Sequence, residues 1–270
     1  MLRLTPGMKR DTDGHRARRH GTVCRVRWAA TFSLTLLAAC SADTGGSADT
    51  VVLACGVETD RAELREMETL NLRGCGDIDF RPLWEAENLR ELTISDPALT
   101  DVHLLAPVRS LEVLRLESSD VSDLTPIGSL QNLRELQVLD TPLTNLAPLA
   151  RLGKLEVLDV SDTYVLDILP LTDVPTLTTL LAPRVRVRDL SPLNALPELE
   201  MAELSENGVV DVRPLLEHPN LSDLNISLIG NCIDTEDPGT AQAVLELESR
   251  AGSFALGPQN SGCDDGYYGR

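Results

Sequence analysis

Residues 133–149 read Leu133-Arg-Glu-Leu-Gln-Val-Leu-Asp-Thr-Pro-Leu-Thr-Asn-Leu-Ala-Pro-Leu149, and the same spacing of apolar residues returns every 22 positions along most of the chain. Leu89, Leu111, Leu133, Leu155, Leu177, Leu199 and Leu221 lead successive units. The third and fifth positions after each lead carry Leu92/Ile94, Leu114/Leu116, Leu136/Val138, Leu158/Val160, Leu180/Ala182, Ala202/Leu204 and Leu224/Ile226. Met67, Leu70 and Leu72 extend the series one step upstream. A fixed period of this length marks a solenoid of stacked units, each too small to bury its apolar face alone.

Within a unit, the alternating Leu-x-Leu predicts a short strand with its leucines turned into the core. Strands from successive units then stack in parallel, about 4.8 Å apart. The far side of each coil opens on Asp79, Asp101, Asp123, Asn145, Asp167, Asp189 or Asp211. Three residues on stands Pro82, Pro126, Pro148, Pro170, Pro192 or Pro214; the second unit departs, with Leu104 there. Asx side chains accept orphan N–H bonds at the start of a helical turn, and proline is tolerated in the first turn because its N–H is not needed. One 3₁₀ or short α turn per unit follows. The column of carboxylates is read as turn punctuation and not as a cation track.

The units resemble the leucine-rich repeat, and specifically its 22-residue internalin-like subclass, over about 67–233. The resemblance implies an α/β class and a curved solenoid, with parallel strands on the concave face and short 3₁₀ or α turns on the convex face. It also implies that function resides on a protein-binding surface. The position usually Asn or Cys in that family is here Cys75, Pro97, Ser119, Thr141, Thr163, Val185 and Asn207, so local slack is expected around 97 and 185. An Ig-like domain and a cell-wall sorting tail, which accompany such repeats in internalins, find no counterpart, and host-receptor binding is not transferred.

Organisation outside the repeats is read as follows. Residues 1–39 form an export signal: a basic lead, then the apolar run 28–39 ending Leu37-Ala38-Ala39. Twelve apolar residues are too few to span a bilayer, which needs about 20 in a helix. Cys40 directly after Leu-Ala-Ala resembles a bacterial lipobox, which implies lipidation of Cys40. Ordinary cleavage beside an incidental Cys is the alternative. Residues 40–50 are a flexible tether, 51–66 an N-terminal cap, 67–233 seven full repeats with a truncated eighth, and 234–270 a C-terminal cap and mobile tail. In that cap a helix over 241–250 is expected to turn Ala241, Val244, Leu245 and Leu247 to the last coil, with a short strand near 254–256.

The chain's net charge is −18. Residues 1–39 hold eight Lys and Arg against two Asp and Glu, so their removal leaves a net charge of −24. Nucleic acid is thereby excluded as a partner, since phosphate contacts need basic surface. Membrane attachment would rest on the lipid at Cys40. Cys55, Cys75, Cys232 and Cys263 are candidate disulfide partners in an oxidising compartment. Pairing Cys55–Cys75 and Cys232–Cys263 is favoured as local, although a reduced Cys75 buried in its turn is also compatible with the repeat. Neither a metal centre nor a cofactor is expected, and no nucleophile motif or catalytic triad can be assembled, so neither an enzyme nor a small-molecule substrate is expected.

The outward positions of each strand lie two, four and six residues after the lead. They yield an apolar strip of Val113, Leu139, Val157, Leu181 and Met201, edged by Arg115, Glu117, Glu135, Asp159 and Glu203. An apolar patch rimmed by charge suits a protein-binding surface. Tyr164, in a turn nearby, is a candidate aromatic anchor. The expected function is therefore an envelope-anchored protein binding a protein partner through its concave sheet. The alternatives are a structural envelope lipoprotein without a specific ligand, or an enzyme regulator.

Overall fold

The computed structural model describes residues 24–25, 50–52, 57–76 and 78–259. Nine parallel strands form one sheet: β4 (Thr69–Arg73), β5 (Glu91–Ser95), β6 (Val113–Glu117), β7 (Glu135–Leu139), β8 (Val157–Asp159), β9 (Thr179–Leu181), β10 (Met201–Glu203), β11 (Asn225–Ser227) and β12 (Ser253–Ala255). Each pairs only with its neighbours in chain order. Ahead of them β1 (Cys24–Arg25), β2 (Thr50–Val52) and β3 (Val57–Asp60) make a small sheet of order β1-β3-β2, and α1 (Arg61–Glu66) leads into β4. A curved leucine-rich repeat solenoid is the architecture, as the 22-residue period requires.

Register explains the core. Leu92, Leu114, Leu136, Leu158 and Leu180 sit opposite one another on adjacent strands and are fully buried. Further columns arise at the same interval on the other walls of the coil: Leu99, Val121, Leu143, Val165, Val187 and Val209, and likewise Leu105, Ile127, Leu149, Leu171, Leu193 and Leu215, all buried. Burying one Leu side chain contributes on the order of 2 kcal/mol. Stacking makes each coil's apolar face the lid of the next.

The Asx column works as expected, one position earlier than a helix N-cap. In all seven units the side-chain Oδ1 accepts the N–H two residues on: Arg81, His103, Thr125, Ala147, Leu169, Ser191 and Arg213. The cap position itself is the following apolar residue, which makes no side-chain cap bond. Prolines then occupy the first turn of six five-residue 3₁₀ helices, while the second unit, lacking Pro there, has only the three-residue turn His103–Leu105. Hydrogen bonding from the Arg81 side chain holds the Asp79 carboxyl down at about 2.

A second column runs beside it. Gly74, Ser118, Asp140, Asp162, Arg184, Glu206 and Gly230 all have positive φ, between 46° and 70°. Each turns the chain out of its strand, and its N–H donates to the next coil: Gly74 to Ser95, Ser118 to Leu139, Asp140 to Ser161, Asp162 to Pro183, Arg184 to Ser205, Glu206 to Ile229 and Gly230 to Pro258. The second coil is the exception: Asp96 is not left-handed there, and the following Pro97 favours extended backbone at it. There Asp96 turns inward, accepting from Gly76 N–H at 2.5 Å and Ala98 N–H at 2.8 Å. Asp96 thus ties the turn where slack was expected. At 185 the next coil supplies the partner: the amide of Asn207 donates to the Ala182 carbonyl and accepts from Val187 N–H.

Two expectations need correction. The eighth unit does not keep the 22-residue register: Met201, Ala202 and Glu203 pair with Asn225, Ile226 and Ser227, 24 residues on. Two extra residues lie between the 3₁₀ turn Arg213–Glu217 and β11. A slip of two preserves the alternation of a strand, so Leu221, Leu224 and Ile226 mimic an unbroken period. In the C-terminal segment α2 spans Pro238–Arg250 with Asp237 accepting from Thr240 N–H. It buries Ala243, Val244 and Leu247, one helical stripe that leaves Leu245 on the opposite side, 60% exposed. Ser253–Ala255 then adds the ninth strand, with Phe254 opposite Ile226.

Candidate functional site

Outward side chains of the sheet form rows running across the strands, because the pairing aligns equivalent positions. One row reads Glu91, Val113, Glu135, Val157, Thr179, Met201, Asn225; the next reads Thr93, Arg115, Gln137, Asp159, Leu181, Glu203, Ser227. Ser95, Glu117 and Leu139 begin a third. The strip expected from sequence is therefore not continuous. Glu135 stands between Val113 and Val157, and Leu139 lies four residues along its strand from the first row, about 13 Å.

The N-terminal half of the face is an ion network. Arg115 donates through one guanidinium nitrogen to Glu91 and through the other to Glu135 Oε1 at 2.7 Å, so a single side chain bridges β5, β6 and β7. Gln137 donates to the same Glu135 oxygen at 2.8 Å. Partial burial, with 25% of the Arg115 side chain exposed, works to lower its pKa, but the two carboxylates raise it overall. Arg115 and Glu135 are thus satisfied by each other and are poor candidates for a partner's charges.

In the C-terminal half the apolar residues meet. Val157 and Met201 flank Thr179 in the first row, and Leu181 sits one step along in the second, diagonal to both. Diagonal neighbours of this kind lie about 7–8 Å apart, within side-chain reach. Asp159 and Glu203 stand on either side of Leu181. Both are held: Asp159 Oδ1 accepts from Ser161 N–H at 3.0 Å, and Glu203 Oε1 from Ser205 N–H at 2.9 Å. Met201 is 48% exposed, the most open apolar side chain of the sheet face among the described residues. Val113, Glu117 and Leu139 lie outside this cluster.

Tyr164 does not overhang the sheet. It follows the left-handed turn at Asp162 and the buried Thr163, and its N–H donates to the Leu143 carbonyl of the preceding coil. Its ring lies 5.3 Å under the Arg186 guanidinium, on the wall beyond the turn.

Cys75 and Cys232 are each disulfide-bonded. They belong to the first and last turns of the stack, with the strands from β5 to β10 between them, far beyond the roughly 7 Å that a disulfide tolerates between Cα atoms. Neither can be the other's partner. Cys40, Cys55 and Cys263 lie outside the described residues. Among the described residues no three His, Cys, Asp or Glu side chains converge, and no helix is long and apolar enough to cross a membrane.

No protein-family model and no curated protein matches the chain. Solved structures do match. The internalin InlF from Listeria monocytogenes aligns with a TM-score of 0.62 and 23% identity, over 75% of this chain and 57% of its own. Internalin C2 from the same organism aligns with a TM-score of 0.57 and 28% identity, over 68% of this chain and 100% of its own. A leucine-rich repeat protein of Leptospira interrogans reaches 0.51 at 17% identity, over 63% and 50% of the two chains. The fold is that of internalin-like leucine-rich repeat proteins.

Proposed function

We propose that this chain is an exported, lipid-anchored leucine-rich repeat protein that binds a protein partner through the C-terminal half of its concave sheet. The observation that carries the reading is Leu181 standing between Asp159 and Glu203, with Val157 and Met201 on its diagonals. An apolar centre with a carboxylate on each side favours a partner presenting an apolar ridge flanked by Lys or Arg. The chain's charge of −18 supports the same choice by steering cationic surfaces toward it. The double substitution Val157→Glu/Leu181→Glu tests it. Both side chains point out of the sheet, so the fold should survive while partner binding is lost; retained binding would refute the site.

Anchoring belongs to the same proposal. Cleavage before Cys40 would remove β1 and leave β2 and β3, which pair antiparallel on their own. Cys40→Ser should move the protein from the membrane fraction to the soluble one, and unchanged fractionation would refute lipidation. For the disulfides we propose Cys55–Cys75 and Cys232–Cys263, pairs that would close the two ends of the stack. Peptide mapping without reduction distinguishes them from any other connectivity.

A further inference from the structure

We propose a second docking surface, on the wall that follows the left-handed turns, for an extended acidic segment of another polypeptide. Three consecutive coils contribute Tyr164 and Leu166, Arg186 and Arg188, and Val210, with Gly208 buried beneath Arg188. The residues between them, Val165, Val187 and Val209, are buried. Backbone bonds fix the grid, Arg186 N–H donating to the Val165 carbonyl at 2.9 Å and Gly208 N–H to the Val187 carbonyl at 3.1 Å. Bonds from coil to coil make this a continuous wall, separate from the concave sheet.

Its composition sets it apart. Tyr164, Leu166 and Val210 are each between 53% and 59% exposed, levels that a merely structural wall has no need of. Arg186 lies over the Tyr164 ring. Arg188 runs across Gly208, where a Cβ would come within 3.2 Å of its Cγ and Nε. Neither arginine has a carboxylate partner among the described residues, whereas Arg184, two residues earlier, is held by both oxygens of Asp162 at 2.6 Å. In a chain of charge −18, two unpaired guanidinium groups held beside three exposed apolar side chains form a site for carboxylates. Tyr and Arg are also the residues that dominate binding energy at interfaces.

Spacing specifies the occupant. Arg186 and Arg188 are two residues apart on extended backbone, about 7 Å. Their side chains lean apart, Arg186 over Tyr164 of the preceding coil and Arg188 over Gly208 of the following one, so the two guanidinium groups would meet carboxylates spaced further than neighbouring same-face positions of an extended peptide. Apolar side chains flanking them would lie on Leu166 and Val210. The surface is thus suited to an extended segment carrying at least two spaced carboxylates and not to a basic or uncharged one.

Selection of phage-displayed nine-residue peptides on the full chain tests this, followed by fluorescence-anisotropy titration of the enriched peptides. Enriched sequences should carry at least two Asp or Glu beside an apolar residue. They should bind the wild-type chain and Val157→Glu/Leu181→Glu alike, and lose at least tenfold in affinity for Arg186→Gln/Arg188→Gln. Circular dichroism and a thermal scan of each variant verify the fold, which these exposed substitutions leave intact. Absence of enrichment, enriched peptides without carboxylates, or affinity unchanged by Arg186→Gln/Arg188→Gln would overturn the proposal. Loss of binding in the Val157/Leu181 variant alone would assign the peptides to the concave face and overturn it equally.

Discussion

Asn207 holds Val187 from the following coil: its Oδ1 accepts the Val187 N–H at 3.1 Å, while its Nδ2 donates to the carbonyls of Ala182 at 2.8 Å and Leu204 at 3.0 Å. Asn207 is fully buried. One amide therefore satisfies three backbone groups that have no water to turn to. Asn231 repeats the device one coil later, accepting from Val209 N–H and donating to Leu204.

Leaving a buried backbone group without a partner costs about 1–3 kcal/mol. Asn207→Ala should therefore lower unfolding stability by about 3 kcal/mol, measured as a fall in the denaturant midpoint. Ser119 and Thr141 occupy the same position in earlier coils, and their hydroxyls have no hydrogen-bond partner among the described residues. Ser119→Ala should shift the midpoint by less than about 0.5 kcal/mol.

Left-handed backbone costs a non-glycine residue roughly 1–2 kcal/mol. Glu206, at φ 56°, has only a 3.9 Å approach to Arg184 to lose. Glu206→Gly should raise stability by about 1 kcal/mol, seen as a rise of about 2–4 °C in the thermal midpoint. Gly230→Ala, at φ 70° and with its new Cβ 3.2 Å from Glu206 Cγ, should move the midpoint the other way by at least as much.

The two columns show what the amino-acid sequence makes legible and what it hides. The 22-residue period was read directly, because every coil must cover its neighbour with the same apolar positions, and Asp or Asn at every turn start had one structural use. The left-handed column was also present in the letters, as Gly74, Asp140, Asp162 and Gly230 at equivalent places, but Ser118, Arg184 and Glu206 diluted it. Row interruption could have been read too: Val113 and Val157 are 44 residues apart, so Glu135 had to fall between them. The register shift before β11 could not, since a two-residue slip leaves alternation unchanged. Nor could the Arg186–Tyr164 contact, which depends on how two side chains lean and not on their spacing.

His218 falls in a column otherwise filled by Val108, Leu130, Leu152, Val174 and Leu196, and it is buried there. Its Nδ1 accepts from Asn220 N–H at 3.2 Å, which favours the neutral ring protonated at Nε2. Burial lowers its pKa, against weaker upward pulls from the backbone at Leu196 and Asn220. The unfolded chain, with an ordinary histidine near 6.5, then takes up a proton before the folded one. Stability is complete above about pH 6.5 and declines as the pH falls below it. The aspartates held low by their turn partners, among them Asp101, Asp123 and Asp211, act only below about pH 4. Denaturant midpoints between pH 7.5 and 5 should fall in the wild type and stay level in His218→Leu.

Arg115 supplies the charge that keeps Glu91 and Glu135 on one face. Arg115→Met retains the apolar stem and removes the guanidinium. Stability should drop by about 1 kcal/mol at low salt, and by less at 1 M salt where partly exposed charges are screened. Partner binding at the Leu181 cluster, two strands beyond β7, should be unaffected, which separates the network's structural part from the binding surface.

In the proposed binding mode a protein partner meets the concave sheet at Leu181. A photo-crosslinking amino acid placed at position 181 in cells, compared with the same group at the exposed convex position 173, tests it most directly. A discrete crosslinked product from 181, absent from 173, is the predicted result. No product from 181, or equal products from both positions, would rule out that contact.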